Sequence, residues 1–261
     1  LGRYSIHLDG LEKIGCIEDS RFLESPVQIM VDAADSMLLA TDSRGTLNAY
    51  TCHGEHLWEL PLNGGSSPTI SAADLNGHGH AQLVVAAAGN RMRTFSVRAA
   101  GASVELTNLE FLGARDRHHS PLLYDLEGRG AYSLVAPGSN EEGEIVVRAY
   151  RPNGDLIWQT SLGVPVAQNG QATAWIAGPF LPGPRTAVAI SVNNDFRNIE
   201  GTYLLDGPTG SLLWFKGLHW QGRTVRPCLP NSFPVSFDFD RDGLDEIMMD
   251  MLSYMAALRG T

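Results

Sequence analysis

The chain has 261 residues, of which 18% are charged, and its formal net charge is −10. A chain of this length can bury a large core, as one big domain or as two. The negative charge argues against a nucleic-acid-binding protein, because such proteins bind phosphates through Lys and Arg. No apolar run is long enough to cross a bilayer as a helix, so no transmembrane segment is predicted. Gly (28) and Pro (14) are plentiful, which favours many short strands and tight turns.

The cysteines are three in number, Cys16, Cys52 and Cys228. An odd number means that at least one thiol is free or is paired outside this chain. Their spacing matches no zinc site. The redox state of all three stays open.

One repeated element is a hairpin pattern of two strand-like runs joined by a turn that contains Gly. It opens the chain at 4–14, and clearer copies follow at 45–58, 145–158 and 201–214. Each clear copy ends in a tryptophan: Trp58, Trp158 and Trp214. This hairpin resembles the outer hairpin of PQQ-like propeller repeats, and the resemblance implies that the Trp packs between neighbouring blades.

The second repeated element is a turn of nine residues followed by an apolar run. Four copies recur at spacings of roughly 50–60 residues, and each carries a glycine at its sixth position. They begin at Asp74, Asp125, Gly178 and Asp238. A shorter copy at 32–36 has lost the glycine.

The copy that begins at Asp238 has the composition of a calcium loop. Oxygen side chains occupy its first, third, fifth and ninth positions, and Gly243 permits a sharp turn at the sixth. Crowded carboxylates repel, so the pattern favours a hard cation, and Ca²⁺ takes six to eight oxygen ligands. The predicted ligands are Asp238, Asp240, Asp242, the carbonyl of Leu244, and Glu246. Asp245 falls on a non-ligand position and is expected to point outward.

This loop resembles the calcium loop of FG-GAP and VCBS repeats, which occur in integrin α-subunit propellers and in many secreted bacterial proteins. The resemblance implies an extracytoplasmic protein, whether secreted, periplasmic or on the cell surface. The other copies have lost ligands: His78 replaces an acid in the Asp74 loop, and the Gly178 loop has no acid at a ligand position. Arg129 is expected to pair with Asp125 or Glu127 in place of the cation. We therefore predict one structural Ca²⁺ site.

Together the two elements define a unit of four strands, which we label A to D. Four-stranded units repeated in this way indicate an all-β fold, a β-propeller of four-stranded antiparallel blades. The predicted blades are 24–62, 66–108, 118–163, 171–218 and 233–261, with 1–15 as a partial blade. The two ends could share one blade and close a ring of about five. We favour a piece of a larger propeller, completed by further blades or chains, because both ends carry a C strand.

Candidate ligand-binding residues gather in the D–A and B–C connections, which share one rim of a propeller. Function tends to sit on such irregular loops, and these loops, including 139–142, are rich in polar residues in a chain that is otherwise acidic. The Arg fork matches carboxylates, and Trp offers a flat face for a sugar ring. The predicted ligand-binding residues are Arg117, His118, His119, Asn193, Asn194, Arg197, Trp220, Arg223 and Arg226.

Two function classes remain open. The first is a non-catalytic, calcium-stabilised module that binds an acidic polysaccharide or a protein partner. The second is a carbohydrate-active enzyme, because the propeller resembles that of rhamnogalacturonan lyases. Its catalytic candidates are His118, His119 and Arg226, which could supply a base near neutral pKa and a cation for a uronate. Most of the acidic loops are incomplete and no substrate-site motif of those lyases is visible, so the binding module is preferred.

Overall fold

The computed structural model describes a set of segments that are almost all strands or short turns. These are residues 2–7, 10–16, 28–31, 36–42, 44–51, 55–62, 69–73, 82–87, 91–98, 101–110, 121–166, 171–182, 185–194, 199–217, 219–220, 223–224, 235–238, 241, 244–251 and 254–259. No α-helix occurs among them. In the same segments, no helix has the length and apolar character that a membrane span requires.

Two compact units divide the chain. The first comprises Leu1–Asp74 with His78–Asn108, and the second comprises Leu75–Gly77 with Leu109–Thr261. The sheets of both units are antiparallel, and strands that follow one another in sequence are neighbours in each sheet. This pattern is that of a meander, in which short connections join adjacent strands.

The first unit contains a two-stranded ribbon and two four-stranded sheets. The ribbon pairs β1 (Gly2–His7) with β2 (Gly10–Cys16). The first sheet holds β3 (Gln28–Val31), β4 (Ser36–Thr41), β5 (Thr46–Thr51) and β6 (His56–Pro61). The second sheet holds β7 (Thr69–Ala73), β8 (Gln82–Ala87), β9 (Arg91–Arg98) and β10 (Gly101–Glu110). Side chains of both sheets form one buried cluster: Met37, Leu39, Leu47, Ala49, Leu62, Ile70, Phe95 and Val97.

The second unit contains two four-stranded sheets, a ribbon and a three-stranded sheet. The third sheet holds β11 (Leu122–Tyr124), β12 (Ser133–Ser139), β13 (Glu144–Tyr150) and β14 (Leu156–Pro165). The fourth sheet holds β15 (Gln171–Gly178), β16 (Ala187–Asn194), β17 (Ile199–Asp206) and β18 (Leu212–Gly217). The short ribbon pairs β19 (His219–Trp220) with β20 (Arg223–Thr224). The fifth sheet holds β21 (Val235–Phe237), β22 (Glu246–Met251) and β23 (Tyr254–Arg259).

Burial separates the inner strands of the third and fourth sheets from the last strand of each of these two sheets. In β12, nearly every residue is buried, so both faces of this strand are covered. The last strands β14 and β18 instead expose many of their residues, including Leu156 and Leu212. Strands covered on both faces read as continuous apolar runs, which is why 133–137 and 187–190 lack the polar alternation of a half-exposed strand.

A tryptophan joins the third sheet to the fourth. The indole Nε1–H of Trp158 on β14 donates a hydrogen bond of 2.8 Å to the carbonyl of Gly207, at the turn between β17 and β18. The Thr160 hydroxyl donates a second bond of 2.6 Å to the carbonyl of Gly210 in the same turn. Trp158 is only 7% exposed. The predicted packing of this Trp between neighbouring sheets is therefore observed at Trp158.

Gly210 is required beneath the indole for two reasons. Its φ is +70°, a left-handed conformation that side chains disfavour. A Cβ at this position would also lie 2.5 Å from the Cδ2 and Cε3 atoms of Trp158, so any side chain would push the ring away from the turn.

The Gly210→Ala substitution should therefore destabilise the protein more than Gly128→Ala. Gly128 has a similar φ of +66°, but nothing lies within 4 Å of a Cβ added there. Both variants carry the backbone strain, and only Gly210→Ala adds the overlap with Trp158. We expect an additional loss of about 1–3 kcal/mol in the free energy of unfolding, measured by urea denaturation. Equal losses for the two variants would contradict this packing.

Candidate functional site

The meander order places the connections of each sheet at two ends. In the second unit, the A–B and C–D connections lie at one end of each sheet and the B–C connections lie at the other. We call the first the turn end, comprising 125–132, 151–155, 179–186, 207–211 and 238–245. The predicted calcium loop belongs to the turn end. The predicted ligand-binding residues belong to the opposite end and to the D–A connections.

The predicted calcium loop is described in part. Phe237 pairs with Glu246, so the first and ninth loop positions flank the base of one hairpin. The same register occurs in the third sheet, where Tyr124 pairs with Ser133, and in the second, where Ala73 pairs with Gln82. Arg241 is exposed and has a φ of 60°, which is uncommon for a residue with a side chain.

The donor chemistry of this loop suits Ca²⁺. Carboxylates and a main-chain carbonyl are hard oxygen ligands, and the register brings both ends of the loop together. Asp238 and Leu244 are half-buried there. Asp240 and Asp242 lie outside the described residues, and no group of three or more His, Cys, Asp or Glu side chains in the described part of the chain is placed to hold a metal. The calcium site stays a prediction.

Asp245 was expected to point outward, and this prediction is wrong. It is half-buried, and its Oδ2 atom would lie 3.5 Å from a Cβ added to Gly178 in the fourth sheet. Its main-chain N–H also donates to the carbonyl of Pro179, at 3.3 Å. Burial raises the pKa of the Tyr124 hydroxyl, with further contributions from the charges of Asp245, Asp125 and Tyr132. The Asp245 carboxylate is therefore turned towards the loops of the third and fourth sheets.

The predicted ion pair in the Asp125 loop is confirmed, but main-chain N–H groups are the donors that bind the Asp125 carboxylate. Arg129 lies 3.5 Å from Glu127 between Nη1 and Oε2, and its side chain is 76% exposed. Asp125 accepts hydrogen bonds from the main-chain N–H groups of Arg129, at 3.1 Å, and Gly130, at 2.6 Å. An exposed ion pair contributes little to stability. Main-chain donors, more than the guanidinium, therefore compensate the carboxylate of Asp125.

The Gly178 loop is shifted by one residue from its predicted alignment. Gly178 pairs with Ala187, so the residue at the first loop position, judged by strand register, is Pro179. Gly183 then stands at the fifth position and not at the sixth. The sequence could be aligned to the other loops only by its glycine. The prolines at 179, 182 and 184 gave no second position that would have shown the shift.

Sequence reasoning missed a buried carboxylate at the turn end, Asp206. It accepts a hydrogen bond of 2.8 Å from Arg185 and one of 2.6 Å from the Thr209 hydroxyl. Burial alone would raise the pKa of Asp206. The hydrogen bonds from Thr209 and Arg185 and the positive charge of Arg185 outweigh burial, and the pKa lies below its ordinary value. The sequence signal for this carboxylate was the Asp-Gly-Pro-Thr-Gly turn at 206–210, which by itself predicts only a hairpin connection.

Further hydrogen bonds connect the turn at 206–210 to other loops of the turn end. The Gly207 N–H donates to the Thr186 carbonyl at 2.9 Å, and the Thr186 hydroxyl donates to the Leu126 carbonyl of the third sheet at 2.5 Å. Tyr203 adds another bond between the two sheets, from its hydroxyl to the Leu162 carbonyl at 3.0 Å. Polar side chains at this end thus hold backbone in place.

The predicted ligand-binding residues are only partly described. Asn193 and Asn194 end β16, where Asn193 pairs with Gln171 and Asn194 with Ile199, so they lie at the end opposite to the turn end. Nearby in the third sheet, the Asn140 Oδ1 accepts the N–H of Glu144 at 2.8 Å and so shapes the B–C turn. The other predicted residues, outside the described part, are Arg117, His118, His119, Arg197 and Arg226.

The short ribbon brings two of the predicted residues together. Trp220 on β19 pairs directly with Arg223 on β20, and His219 pairs with Thr224. Residues directly opposite each other in an antiparallel pair share a face. The backbone of the connection between the fourth and fifth sheets therefore pairs a tryptophan with an arginine.

No protein-family model matches the sequence, and no curated protein matches it. Several solved structures are similar in fold. BBS1N in complex with ARL6DN matches with a TM-score of 0.57 and 14% identity, over 94% of this chain and 68% of that chain. The C-terminal domain of Pseudomonas aeruginosa PilY1 matches with a TM-score of 0.56 and 12% identity, over 83% and 52%. Chaetomium thermophilum Raptor matches with a TM-score of 0.55 and 10% identity, over 95% of this chain and 21% of that chain.

At these identities the likeness shows the fold alone. The predicted fold class is confirmed: the chain is all-β and of β-propeller type, with four-stranded antiparallel blades. The chain spans about half or less of the PilY1 and Raptor chains that it matches.

The lowered pKa of Asp206 predicts a pH dependence of stability. A carboxyl group whose folded pKa is depressed contributes stability above its unfolded pKa, and that contribution is lost as the pH falls through the folded pKa. Asp206→Asn should therefore cost about 1 kcal/mol at pH 6, and the difference from wild type should shrink below about pH 4. Urea unfolding at several pH values measures it. Arg185→Gln, which leaves the Thr209 hydroxyl, should show a smaller effect of the same sign. A difference that grows on acidification would contradict the assignment.

Proposed function

We propose that this chain is a non-catalytic β-propeller module that acts outside the cytosol and binds an anionic partner. The partner is an acidic segment of a protein or an acidic polysaccharide. One structural Ca²⁺ ion in the loop of the fifth sheet completes the scaffold. Membership of the FG-GAP or VCBS type, with PQQ-like outer hairpins, is part of the same proposal.

The observation that carries the proposal is the pairing of Trp220 with Arg223. Trp and Arg dominate the binding energy of protein interfaces, because they combine a large contact area with a cationic fork. The same two residues suit an acidic sugar, where Trp covers a ring and Arg pairs with a carboxylate. The ribbon lies in the D–A connection between the fourth and fifth sheets, and irregular connections of this kind are where binding residues gather.

The assignment of the binding site to the ribbon is supported by the turn end, where polar side chains stabilise the turns. Asp125 and Asp206 each accept hydrogen bonds from main-chain N–H groups or from neighbouring side chains. Such side chains hold loops in place and are poorly available to a ligand. The similarity to BBS1N, whose structure was solved in complex with ARL6DN, is consistent with a propeller whose task is to bind a protein.

Calcium binding should depend on Asp238 and not on Asp245. Asp238 stands at the first loop position, whereas Asp245 faces Gly178 in the fourth sheet. In a calorimetric titration with CaCl₂, Asp238→Asn should lose at least about tenfold in affinity, since it removes one charged oxygen ligand. Asp245→Asn is the matched control, because it removes one carboxylate from the same loop, and it should retain the affinity. An absence of calcium-dependent heat in the wild type would remove the site.

Partner binding should depend on the short ribbon and on the predicted ligand-binding residues His118 and Arg226. The probes are polygalacturonate and poly-L-glutamate, tested at two salt concentrations. Trp220→Ala with Arg223→Ala, and His118→Ala with Arg226→Ala, should each weaken binding by about tenfold or more. Arg151→Ala is the control, because Arg151 is an exposed arginine at the C–D turn of the third sheet, and it should leave binding unchanged.

The outcome of this experiment also separates the function classes. Undiminished binding by both double variants would refute the ligand site. Preference for poly-L-glutamate over polygalacturonate would indicate a protein partner, and the reverse preference a glycan. Release of unsaturated uronate from polygalacturonate, followed by ultraviolet absorbance, would instead place the chain among the lyases.

A further inference from the structure

The last strand of the fourth sheet carries an aromatic residue where the corresponding strands carry polar ones. In the first, third and fourth sheets, one cross-strand pair lies directly after the pair that contains the tryptophan. These pairs are Asn48 with Glu59, Arg148 with Gln159, and Tyr203 with Phe215. The first two pairs are polar and the third is aromatic. Polar residues usually occupy exposed positions, so the aromatic pair of the fourth sheet is an exception that needs a reason.

Phe215 is held in a fixed position although it is 44% exposed. The centroid of its ring lies 4.5 Å from that of the Tyr203 ring. A Cβ added to Gly201 would lie 2.6 Å from the Phe215 ring, so the glycine provides the space into which the ring fits. The Tyr203 hydroxyl is in turn bonded to the Leu162 carbonyl of the third sheet. The ring is therefore presented to solvent with little conformational freedom left to lose on binding.

Phe215 belongs to an exposed apolar surface on β18 that also includes Leu212 and Leu213. We call these three residues the β18 patch. Among the described strands, β18 stands at one end of its sheet and pairs only with β17. Proteins usually protect such edge strands with charges or proline, and an exposed apolar surface that lacks this protection is typical of an interaction site.

The charge of the surrounding sequence favours an acidic partner. Lys216 is the one charged residue of β18; it is exposed and forms no ion pair with the residues that the structure describes. The stretch 207–237 contains no Asp or Glu, whereas it contains Lys216, Arg223 and Arg226. The short ribbon begins only two residues after the last residue of β18. A partner that combines apolar and acidic side chains would complement both the patch and these cations.

We propose that the β18 patch docks a segment of a protein partner whose apolar side chains cover the patch and whose carboxylates pair with Lys216. This inference deepens the proposed function and rests on it for the acidic character of the partner. It selects a protein over a polysaccharide because the two leucines gain only from apolar contact. The hydroxyl and carboxylate groups of a uronate chain would lose hydration against them.

Binding of two polypeptides tests the patch. Poly-L-glutamate supplies carboxylates alone, and a random copolymer of L-glutamate and L-tyrosine adds large aromatic side chains. The wild type should bind the copolymer about tenfold or more tightly than poly-L-glutamate, as expected when a fixed aromatic anchor is covered. Phe215→Gln places at this position the residue type that the third sheet has there. It should abolish the preference and leave the affinity for poly-L-glutamate unchanged.

Leu212→Ser and Leu156→Ser form a matched pair that leaves the aromatic rings in place. The two leucines occupy the same register position in their sheets, and they are 53% and 50% exposed. Leu212→Ser should lower the preference for the copolymer by about threefold or more, and Leu156→Ser should leave it unchanged. Equal effects of the two variants would overturn the proposal, as would a wild type that binds both polymers equally tightly.

Two further outcomes separate this proposal from its alternatives. A wild type that binds the copolymer but not poly-L-glutamate would count against the ribbon site and would support the patch. Self-association of the wild type that Phe215→Gln abolishes, measured by sedimentation velocity, would assign the patch to a second copy of this chain and would overturn the proposal.

Discussion

The second unit depends on one contact between an indole and a turn. At Trp158, the ring lies on a glycine that has no side chain to displace it, and the ring N–H donates to a main-chain carbonyl at the turn between the third and fourth strands of the next sheet. Such a contact needs a flat apolar surface with a donor at its edge, which the indole provides. Because each sheet is a meander of short connections, this contact fixes the last strand of one sheet against the turn of the next. The Tyr203 and Thr186 hydrogen bonds join the same two sheets.

The turn end accommodates negative charge in different ways at different loops. Asp125 is compensated by two main-chain N–H groups, and Asp206 by a guanidinium and a hydroxyl. A carboxylate in a turn needs donors or a cation, and the local sequence decides which it finds. Where the sequence keeps several acids close together, as at 238–246, the carboxylates are expected to outnumber the donors of their own turn. That imbalance is the physical reason to expect a cation in this loop and in none of the others.

The sequence predicted the fold class because strand periodicity and turn glycines are local signals. It also predicted the Arg129 pairing with Glu127, since both residues lie in one short turn. It did not predict the orientation of Asp245 or the role of Asp206. Both depend on contacts between residues far apart in the chain, such as Asp245 with Gly178. The one-residue shift of the Gly178 loop was missed for a related reason: register is set by hydrogen bonds between strands, and three prolines in the loop gave no local sign of it.

These constraints also determine where function can reside. Side chains that hold turns together cannot be exchanged freely, because each change removes a hydrogen bond that the scaffold needs. The B–C turns of the described sheets carry the same requirement, because Asp42 and Asn140 accept hydrogen bonds from main-chain N–H groups of their own turns. The connection between the fourth and fifth sheets contains a ribbon of its own, in which Trp220 pairs with Arg223. This connection lies between two sheets and not within one, which is the reason for proposing it, rather than a turn inside a sheet, as the place where a partner is recognised.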